Sequence, residues 1–443
     1  MRGKKHQINR RQFIKGVGAL GTTTMIGSLL PRQTKAAKKE IRFQNTEADP
    51  NTIKYLDAIA AEYEKLTGVG VKMEHLPVGS EAFQKALMGI KTGRSYDIVN
   101  LGQIVYFIAL ATEGHCVPLT DIVKEQGIDD FGPMSLWKYK NEYYFYPYDY
   151  NFVSTFYRKD WLEEAGLQPA QNWNEFLNIV KKFTKDGHFG LYHALSTADV
   201  TNWAGTNILW SNGINIYDKN WEVILDSPQM KPKVVECLEF LRELFPYMPK
   251  GVFQAQFGDL LNTFTMGAVG ISSYAGRLVH HLERSAPQLT NKFIMTGFPT
   301  PDGKKQAVAH ATDGWVVLKQ GENVKEALEF MRWFVKEKLV SYLLTLPIHY
   351  QPVQKSIYRN PVWQADPLVK KYPDIIRKYL EYFDTDKTII NSIDTQGPDL
   401  SVLPSKVWSA YVIPEMYQQV LMKNMKPGEA VDLAAGKIRK MKS

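Results

Sequence analysis

Strand-like and helix-like segments alternate along most of this chain, and this alternation limits its possible folds more than any single motif does. Near the start, three short apolar segments with the composition of strands lie at residues 41–45, 71–77 and 97–101. Two segments with apolar residues at helical spacing separate them. Strand, helix, strand, helix, strand in this order predicts a parallel sheet with right-handed crossover connections. The sequence therefore predicts a protein of the α/β class.

The first 37 residues have the order of an export signal. A basic start is followed by an uncharged stretch and then by small residues that end at Ala37. The segment RRQFIK at 10–15 resembles a twin-arginine signal, and an ordinary Sec leader with a chance arginine pair is the alternative. A GxGxxG match at 16–21 lacks the preceding strand of a dinucleotide site and is discarded. We therefore expect a twin-arginine-type signal peptide over 1–37, export by the twin-arginine machinery to the periplasm, and a soluble product after cleavage.

The excess positive charge of the chain lies in this leader. The full sequence has 54 Lys and Arg against 46 Asp and Glu, a formal net charge of +8. Residues 1–37 contain eight of the basic residues and no acidic residue, so the rest of the chain has 46 of each sign. The charge therefore gives no indication of a nucleic-acid or membrane-surface partner, and no nucleic acid is expected to bind.

Length predicts more than one domain. Without the leader about 400 residues remain, which is more than one hydrophobic core normally supports, so two domains are expected. Two later helices are predicted to begin at Asn172 and Asn323, because each asparagine is followed three residues later by a glutamate, as in a capping box. The two cysteines, Cys116 and Cys237, could pair in an oxidising compartment, but two half-buried free thiols are the preferred interpretation.

Seven segments resemble one known family in their order and spacing. In chain order they are SYDIVNLGQIVYFIALATEGHCVPLTD (95–121), TFYRKDWLEEAGLQPAQNWNEFLNIVKKFTKDGHFGL (155–191), FTMGAVGISSYAGR (264–277), FPTPDG (298–303), TDGWVVLKQ (312–320), EALEFMRWFV (326–335) and PVQKSIY (352–358). Through them the chain is similar to family 1 extracellular solute-binding proteins of ABC importers, the group that includes maltose-binding proteins. Two positions depart from the family, which often has Trp where Tyr274 stands and a second Gly where Asp313 stands.

The resemblance implies a two-lobed periplasmic-binding-protein fold of type II, with the ligand cleft between two α/β lobes joined by hinge strands. On this basis lobe 1 is expected over 38–149 plus 265–315, and lobe 2 over 150–264 plus 316–443. The chain would cross near Asp149, return near Phe264 and cross again near Trp315. The implied function is capture of a carbohydrate, a mono- or oligosaccharide, and its delivery to the ABC permease membrane subunits. A monomer without a cofactor is expected.

The candidate ligand-binding residues follow strands, because sheets of this kind hold ligands beyond the carboxyl ends of their strands. Flat aromatic rings cover the apolar faces of a sugar, and polar side chains bond to its hydroxyl groups. Trp203 is expected to be the exposed tryptophan of its segment, and Pro147 favours a turn that brings Tyr148 to the cleft. The candidates are Asn45, Glu47, Gln103, Tyr148, Asp149, Trp203, Trp210, Tyr274, Asp313, Trp315, Tyr350 and Gln351.

Other functions have less support in the sequence. There is no HExxH zinc motif, no GxSxG elbow and no carboxylate pair committed to acid and base chemistry, so no catalytic residue and no metal site is predicted. The protein is therefore expected not to be an enzyme, and an exported carbohydrate-active enzyme is the remote alternative. The nearer alternative is the same fold with another solute, such as ferric iron held by clustered tyrosinates, to which Tyr143 and Tyr144 would be suited, or a polyamine in an acid-rich cleft.

Overall fold

Two β-sheets form the framework of the protein, whose computed structural model describes residues 39–397 and 399–442. The predicted signal peptide, residues 1–37, lies outside the described residues and stays a prediction. In chain order the strands are β1 (Glu40–Asn45), β2 (Gly70–His75), β3 (Ile98–Val99), β4 (Tyr146–Pro147), β5 (Asp149–Arg158), β6 (Phe189–Tyr192), β7 (Val269–Tyr274), β8 (Phe293–Thr296), β9 (Phe298–Pro299), β10 (Gln306–Ala311), β11 (Gly314–Val317), β12 (Gln351–Pro352) and β13 (Thr388–Asn391).

Helices connect and cover these strands. They are α1 (Pro50–Thr67), α2 (Ser80–Thr92), α3 (Ile104–Thr112), α4 (Thr120–Glu125), α5 (Lys159–Ala165), α6 (Trp173–Phe183), α7 (Asp199–Ala204), α8 (Asn207–Ser211), α9 (Lys231–Leu244), α10 (Phe257–Thr265), α11 (Arg277–Ser285), α12 (Val324–Glu337), α13 (Leu339–Leu343), α14 (Pro361–Ala365), α15 (Pro367–Lys371), α16 (Pro373–Tyr382), α17 (Val402–Ser409), α18 (Val412–Leu421) and α19 (Pro427–Lys442). None of the helices in the described part of the chain has the length and apolar character needed to cross a membrane.

The first sheet has the strand order β2-β1-β3-β11-β4. Strand β1 is parallel to both β2 and β3, and the helices α1 and α2 make the two connections, so the parallel arrangement predicted from the sequence is confirmed. Strand β11 joins this sheet from much later in the chain and is antiparallel to β3 and β4. Tyr63 of α1 packs edge to face on Phe330 of α12, with ring centroids 4.9 Å apart, so these two helices share one core over the sheet.

The second sheet is built around β5, whose ten residues are all buried. Strand β5 is antiparallel to β7, β8, β10 and β12, each of which pairs with part of its length. The aromatic and β-branched residues of this strand suit a position that is covered on both faces. The remaining strands extend the sheet, with β6 beside β7, and with β9 and β13 beside β10.

The chain passes between the two sheets three times. The third passage lies between β11 in the first sheet and β12 in the second, beyond the position near Trp315 where it was expected. The first two lie next to each other. Tyr148 separates β4 in the first sheet from β5 in the second, and residues 312–313 separate β10 in the second sheet from β11 in the first. The backbone N–H of Tyr148 donates to the carbonyl oxygen of Asp313 over 2.9 Å, so the two crossings lie side by side.

The lobe boundaries themselves stay a prediction, but the strand pairing differs from the division expected. The crossing expected near Asp149 matches the start of β5. Strand β7, however, pairs in the second sheet, so the return to the first sheet lies at 312–313 and not near Phe264. Both segments are short apolar strands, and nothing in their local composition distinguishes the sheet that each one joins.

Two smaller expectations have mixed outcomes. The side chain of Asn172 accepts a hydrogen bond from the backbone N–H of Glu175 over 3.0 Å, as predicted for a helix start. Asn323 precedes a helix, but its side chain makes no capping hydrogen bond; its nitrogen donates to the carbonyl oxygen of Glu40 over 3.0 Å. Cys116 and Cys237 are unpaired, as preferred, but both are fully buried rather than half-buried. Burial raises the pKa of both thiols.

Candidate ligand-binding site

A cavity of about 120 Å³ lies where strands of both sheets end. Glu47 follows β1 and Gln103 follows β3, so both come from the carboxyl edge of the first sheet. Tyr274 ends β7 in the second sheet, and Trp203 lies on α7. The lining residues are Thr46, Glu47, Ala48, Val78, Gly102, Gln103, Asn151, Trp203, Phe257, Tyr274, Arg277, Ala311, Asp313 and His349.

Three aromatic rings form one wall of this cavity. Trp203 meets Tyr274 edge to face, with ring centroids 5.1 Å apart and planes at 88°. Phe257 also packs against the indole, with a centroid separation of 5.8 Å. The indole N–H of Trp203 is directed at the carbonyl oxygen of Asn151, 3.4 Å away. The tryptophan is therefore held by neighbours on several sides and presents a fixed apolar surface to the cavity.

A second part of the wall contains an ion pair between Arg277, which is partly buried, and Glu47, which is buried. Nη2 of Arg277 donates to Oε2 of Glu47 over 3.0 Å, and the hydroxyl of Tyr148 donates to Oε1 over 3.0 Å. Both oxygens of Glu47 therefore have a partner. Burial is the largest single influence on the pKa of Arg277 and lowers it. The combined attraction of Glu47, Tyr350, Tyr274 and Asp313 exceeds this effect, so the pKa is raised and the guanidinium stays charged.

Arg277 also fixes the state of His349. The same Nη2 atom lies 3.1 Å from Nε2 of His349, and because the guanidinium can only donate, Nε2 must accept. The imidazole therefore carries its proton on Nδ1 and is neutral. Burial lowers the pKa of His349 well below its usual value, and the charge of Arg277 lowers it further. Gly276 permits this contact, since a Cβ built there would lie 1.9 Å from the carbonyl oxygen of Ile348.

Two aspartates meet at the crossing points described above. The backbone N–H of Asp313 donates to Oδ1 of Asp149 over 3.1 Å. Nδ2 of Asn151 donates to Oδ2 of Asp313 over 2.6 Å and lies 3.4 Å from Oδ2 of Asp149. Burial raises the pKa of both aspartates well above the usual value; the next contribution is the charge of Asp313 for Asp149 and of Glu47 for Asp313. The pair therefore holds a proton over a wide range of pH.

Several buried polar atoms of the cavity wall lack a hydrogen-bond partner among the described residues. They are Oε1 of Gln103, Oδ1 of Asn151, Oδ1 of Asp313 and Nδ1 of His349. A buried polar group that makes no hydrogen bond costs about 1–3 kcal/mol, so native proteins rarely leave several together. A polar ligand in the cavity would remove this cost.

The structure brings five of the twelve candidate residues to the cavity wall: Glu47, Gln103, Trp203, Tyr274 and Asp313. Their contact with a ligand stays a prediction. Of the two tryptophans considered, Trp203 lines the cavity but is buried and not exposed as expected, because Tyr274 and Phe257 pack against it. Trp210 is fully buried in α8 and does not reach the cavity.

The other six candidates are buried behind the wall, where four of them position groups that line it. Nδ2 of Asn45 donates to the backbone carbonyl of Glu47 over 3.0 Å. Nε2 of Gln351 donates to the carbonyl of Ile348 over 2.6 Å, in the loop that carries His349. Tyr148 and Asp149 contact Glu47 and Asp313 respectively, as described above.

The tyrosine-rich segment YYFYPYDYNF at 143–152 belongs to this supporting layer rather than to the wall. The Tyr148 ring lies 4.4 Å from that of Trp315 and 5.7 Å from that of Tyr350, so the last two candidates complete a buried aromatic cluster. Of this segment only Asn151 lines the cavity. Four of its five tyrosines are buried in the core, and Tyr144 is partly buried against it.

Four functionally placed residues were not predicted: Asn151, Phe257, Arg277 and His349. The rule that selected Tyr274 could have found Arg277, which comes three residues later at the start of α11. Likewise Asn151 lies on the same face of β5 as Asp149, and His349 adjoins Tyr350. Phe257 opens a helix far from any strand end, and no sequence signal indicates its place.

Among residues 39–397 and 399–442, no group of three or more His, Cys, Asp or Glu side chains is arranged to hold a metal ion.

The fold is α/β with two sheets, and aromatic and polar groups line a cavity where strands of both sheets end. This combination is typical of a protein that encloses a small molecule. Residues 49–339 match the family of bacterial extracellular solute-binding proteins, and the chain belongs to this family. The resemblance noted in the sequence is therefore confirmed, and members of this family are binding proteins.

Comparison with individual proteins agrees with this assignment. YcjN of Escherichia coli (strain K12), named as an ABC transporter periplasmic-binding protein, is 22% identical over 219 residues. That match covers 48% of each sequence, so the chain spans about half the length of the curated relative it matches.

Solved structures match over more of the chain. A sugar transporter from Arthrobacter chlorophenolicus A6 with bound laminaribiose has a TM-score of 0.76 at 16% identity, covering 90% of this chain and 99% of that one. Maltose-bound MalE3 of T. maritima has a TM-score of 0.74 at 16% identity, covering 91% and 99%. These likenesses confirm the predicted two-lobed α/β fold of periplasmic binding proteins.

Proposed function

We propose that this protein is the periplasmic solute-binding component of an ABC importer, and that it captures a mono- or oligosaccharide and delivers it to the membrane permease. Its family consists of solute-binding proteins, and two solved structures of the same fold hold a disaccharide. On this proposal the protein has no catalytic activity of its own and acts as a monomer.

One observation carries the carbohydrate assignment. The cavity places the aromatic wall of Trp203, Tyr274 and Phe257 beside buried polar atoms of Gln103, Asn151 and Asp313 that lack partners. A sugar ring has apolar C–H faces and a rim of hydroxyl groups, so it can occupy the rings and the polar atoms at the same time. A purely apolar ligand would leave the polar atoms without hydrogen bonds.

Closure of the two lobes around the ligand supplies the mechanism in this proposal. The chain crosses between the sheets at Tyr148 and at residues 312–313, so we place the hinge there. A ligand that contacts Glu47 on one side and Tyr274 on the other binds the closed arrangement better than the open one, and it shifts the population accordingly.

The binding assignment is tested by calorimetry and thermal unfolding of the purified mature protein against a panel of mono- and oligosaccharides. A sugar at about 100 times its dissociation constant should stabilise the protein by about 2.7 kcal/mol. Trp203→Ala should weaken binding at least about tenfold, since central buried tryptophans carry much of the energy of a binding site. Trp161→Ala, at a half-buried tryptophan on α5 away from the cavity, is the matched control. Absence of binding to every sugar would refute the proposal.

Export through the twin-arginine route is tested separately. Replacing both arginines of the leader, Arg10→Lys with Arg11→Lys, should retain the protein in the cytoplasm, because the paired arginines are the feature that the export receptor reads. Cell fractionation measures the outcome. Undiminished recovery in the periplasm would assign the leader to the Sec route instead.

A further inference from the structure

The charges around the cavity do not balance. Two hydrogen-bonded groups meet here: Glu47 bonds to Arg277 and to the Tyr148 hydroxyl, and Asp149 and Asp313 bond to each other's segment and to Asn151. The backbone bond from Tyr148 to Asp313 joins them, so three carboxylates lie near a single guanidinium. Glu47 and Arg277 compensate each other directly. In the described part of the chain neither Asp149 nor Asp313 forms an ion pair with a lysine or arginine. The aspartate pair therefore lacks a cation of its own.

Both aspartates cannot be ionised together without a large cost, because they are buried and lie close enough for one nitrogen of Asn151 to reach both carboxylates. Burial raises the pKa of each of them well above its usual value, and neighbouring carboxylates raise it further. A proton therefore compensates the pair while the cavity is empty. A cation of a ligand, placed beside Asp313, could take over this role.

The free polar atoms near this pair are acceptors. Asn151 directs its nitrogen at the two carboxylates, so the oxygen, Oδ1, is the atom left for the cavity. Oδ1 of Asp313 is also unpartnered, and so is Oε1 of Gln103. All three residues are more than nine-tenths buried and line the cavity. An ammonium group donates three hydrogen bonds and accepts none, which matches such a set better than a hydroxyl group does.

The other groups that face the aspartates do not supply the missing charge. His349 is neutral because it accepts from Arg277, and Tyr148 and Tyr350 stay un-ionised because burial raises the pKa of both phenols. Arg277 faces the cavity from α11, but Glu47 already neutralises it.

We propose that the sugar bound here carries a free, protonated amino group, which Asp313 and Asn151 bind at the crossing between the two sheets. This inference rests on the carbohydrate function proposed above. The ammonium replaces the proton held by Asp149 and Asp313, so binding releases that proton to solvent. Acetylation of the amine removes its positive charge and makes the group larger. An acetylated sugar should therefore not bind more tightly than the neutral sugar.

Matched sugar pairs test the proposal on the purified mature protein. Titration calorimetry compares D-glucosamine with D-glucose and N-acetyl-D-glucosamine, and D-galactosamine with D-galactose, at a pH below the pKa of the sugar amine. The amino sugar of at least one pair should bind at least about tenfold more tightly than its neutral partners, the factor that corresponds to one pKa unit. Repeating the titration in two buffers of different ionisation enthalpy should reveal proton release for the amino sugar only.

A variant identifies the group responsible. Asp313→Asn keeps the size of the side chain and should remove both the preference for the amine and the proton release. Asp374→Asn, at an exposed aspartate on α16, should change neither. Circular dichroism establishes whether each variant is folded. If a variant is not folded, the comparison of amino and neutral sugars on the wild-type protein decides whether the proposal holds.

The outcomes separate the two proposals. Neutral sugars that bind as tightly as their amino counterparts would overturn the amino-sugar inference and leave the carbohydrate function standing. Binding of an aliphatic diamine such as putrescine, with no sugar bound, would overturn the carbohydrate function and the inference with it.

Discussion

Replacing Arg277 by methionine tests whether the buried charges hold the empty protein together. Removing one partner of a buried ion pair costs about 3–5 kcal/mol, because the other charge is left uncompensated. The Glu47 side chain is 6% exposed and that of Arg277 is 29% exposed, so water already screens the guanidinium in part. We therefore expect Arg277→Met to lower the free energy of unfolding by about 2–3 kcal/mol at neutral pH.

Urea unfolding followed by tryptophan fluorescence measures this loss. Combining Arg277→Met with Glu47→Gln removes both charges and should restore at least half of the loss, since a neutral amide can still accept the hydrogen bond from Tyr148. Arg377→Met removes an exposed arginine that pairs with Asp374 on α16 and should cost less than about 1 kcal/mol. A cavity variant as stable as the wild type, or a double variant that loses the sum of the two single losses, would refute the reasoning.

Three further substitutions have expected outcomes that unfolding experiments can measure. Gly276→Ala should be strongly destabilising, because the added Cβ would lie 1.9 Å from a backbone oxygen. Gly436→Ala lies in the interior of α19, where no atom is near the added Cβ, and should stabilise the protein by about 1 kcal/mol. Similar effects of the two substitutions on the free energy of unfolding would contradict this reasoning. Burial raises the pKa of Asp394 to about 7, so the stability of the wild type relative to Asp394→Asn should fall as the pH rises from about 4 to about 7 and should not change with pH below about 4. A relative stability that falls towards acid pH would have the wrong sign. Tyr148→Phe should cost about 1–3 kcal/mol, since a buried carboxylate and a buried amide each lose a hydrogen bond, and a neutral result would show that water replaces the hydroxyl.

Local patterns predicted the elements better than their partners. Hydrophobic periodicity located β1, α1 and β2, and the order of elements gave their parallel pairing. The sequence did not indicate that β7 pairs with β5 while β11 pairs with β3, because both assignments depend on contacts between distant segments. The same limit applies to caps, since Asn172 bonds within its own helix and Asn323 bonds to a strand from the start of the chain.

The prediction of the cavity residues had the same limit, because it too used only local information. The rule that ligands lie beyond strand ends selected Glu47, Gln103 and Tyr274. It could not tell a residue on the wall from one directly behind it, so Tyr148 was taken for a contact although it supports Glu47 from the core. Which of two neighbouring side chains faces the cavity depends on packing that only the folded chain supplies.

The pairing of β5 determines how late in synthesis the second sheet can be completed. Its partners β7, β8, β10 and β12 all lie more than one hundred residues later in the chain, the last of them at Gln351–Pro352. During synthesis this apolar strand must wait, unpaired, until most of the polypeptide has left the ribosome, and sheets closed by such distant contacts form slowly. If the chain were exported unfolded, this slow strand pairing would have to take place after it has crossed the membrane. If it is exported folded, the pairing is completed in the cytoplasm, where chaperones can assist it.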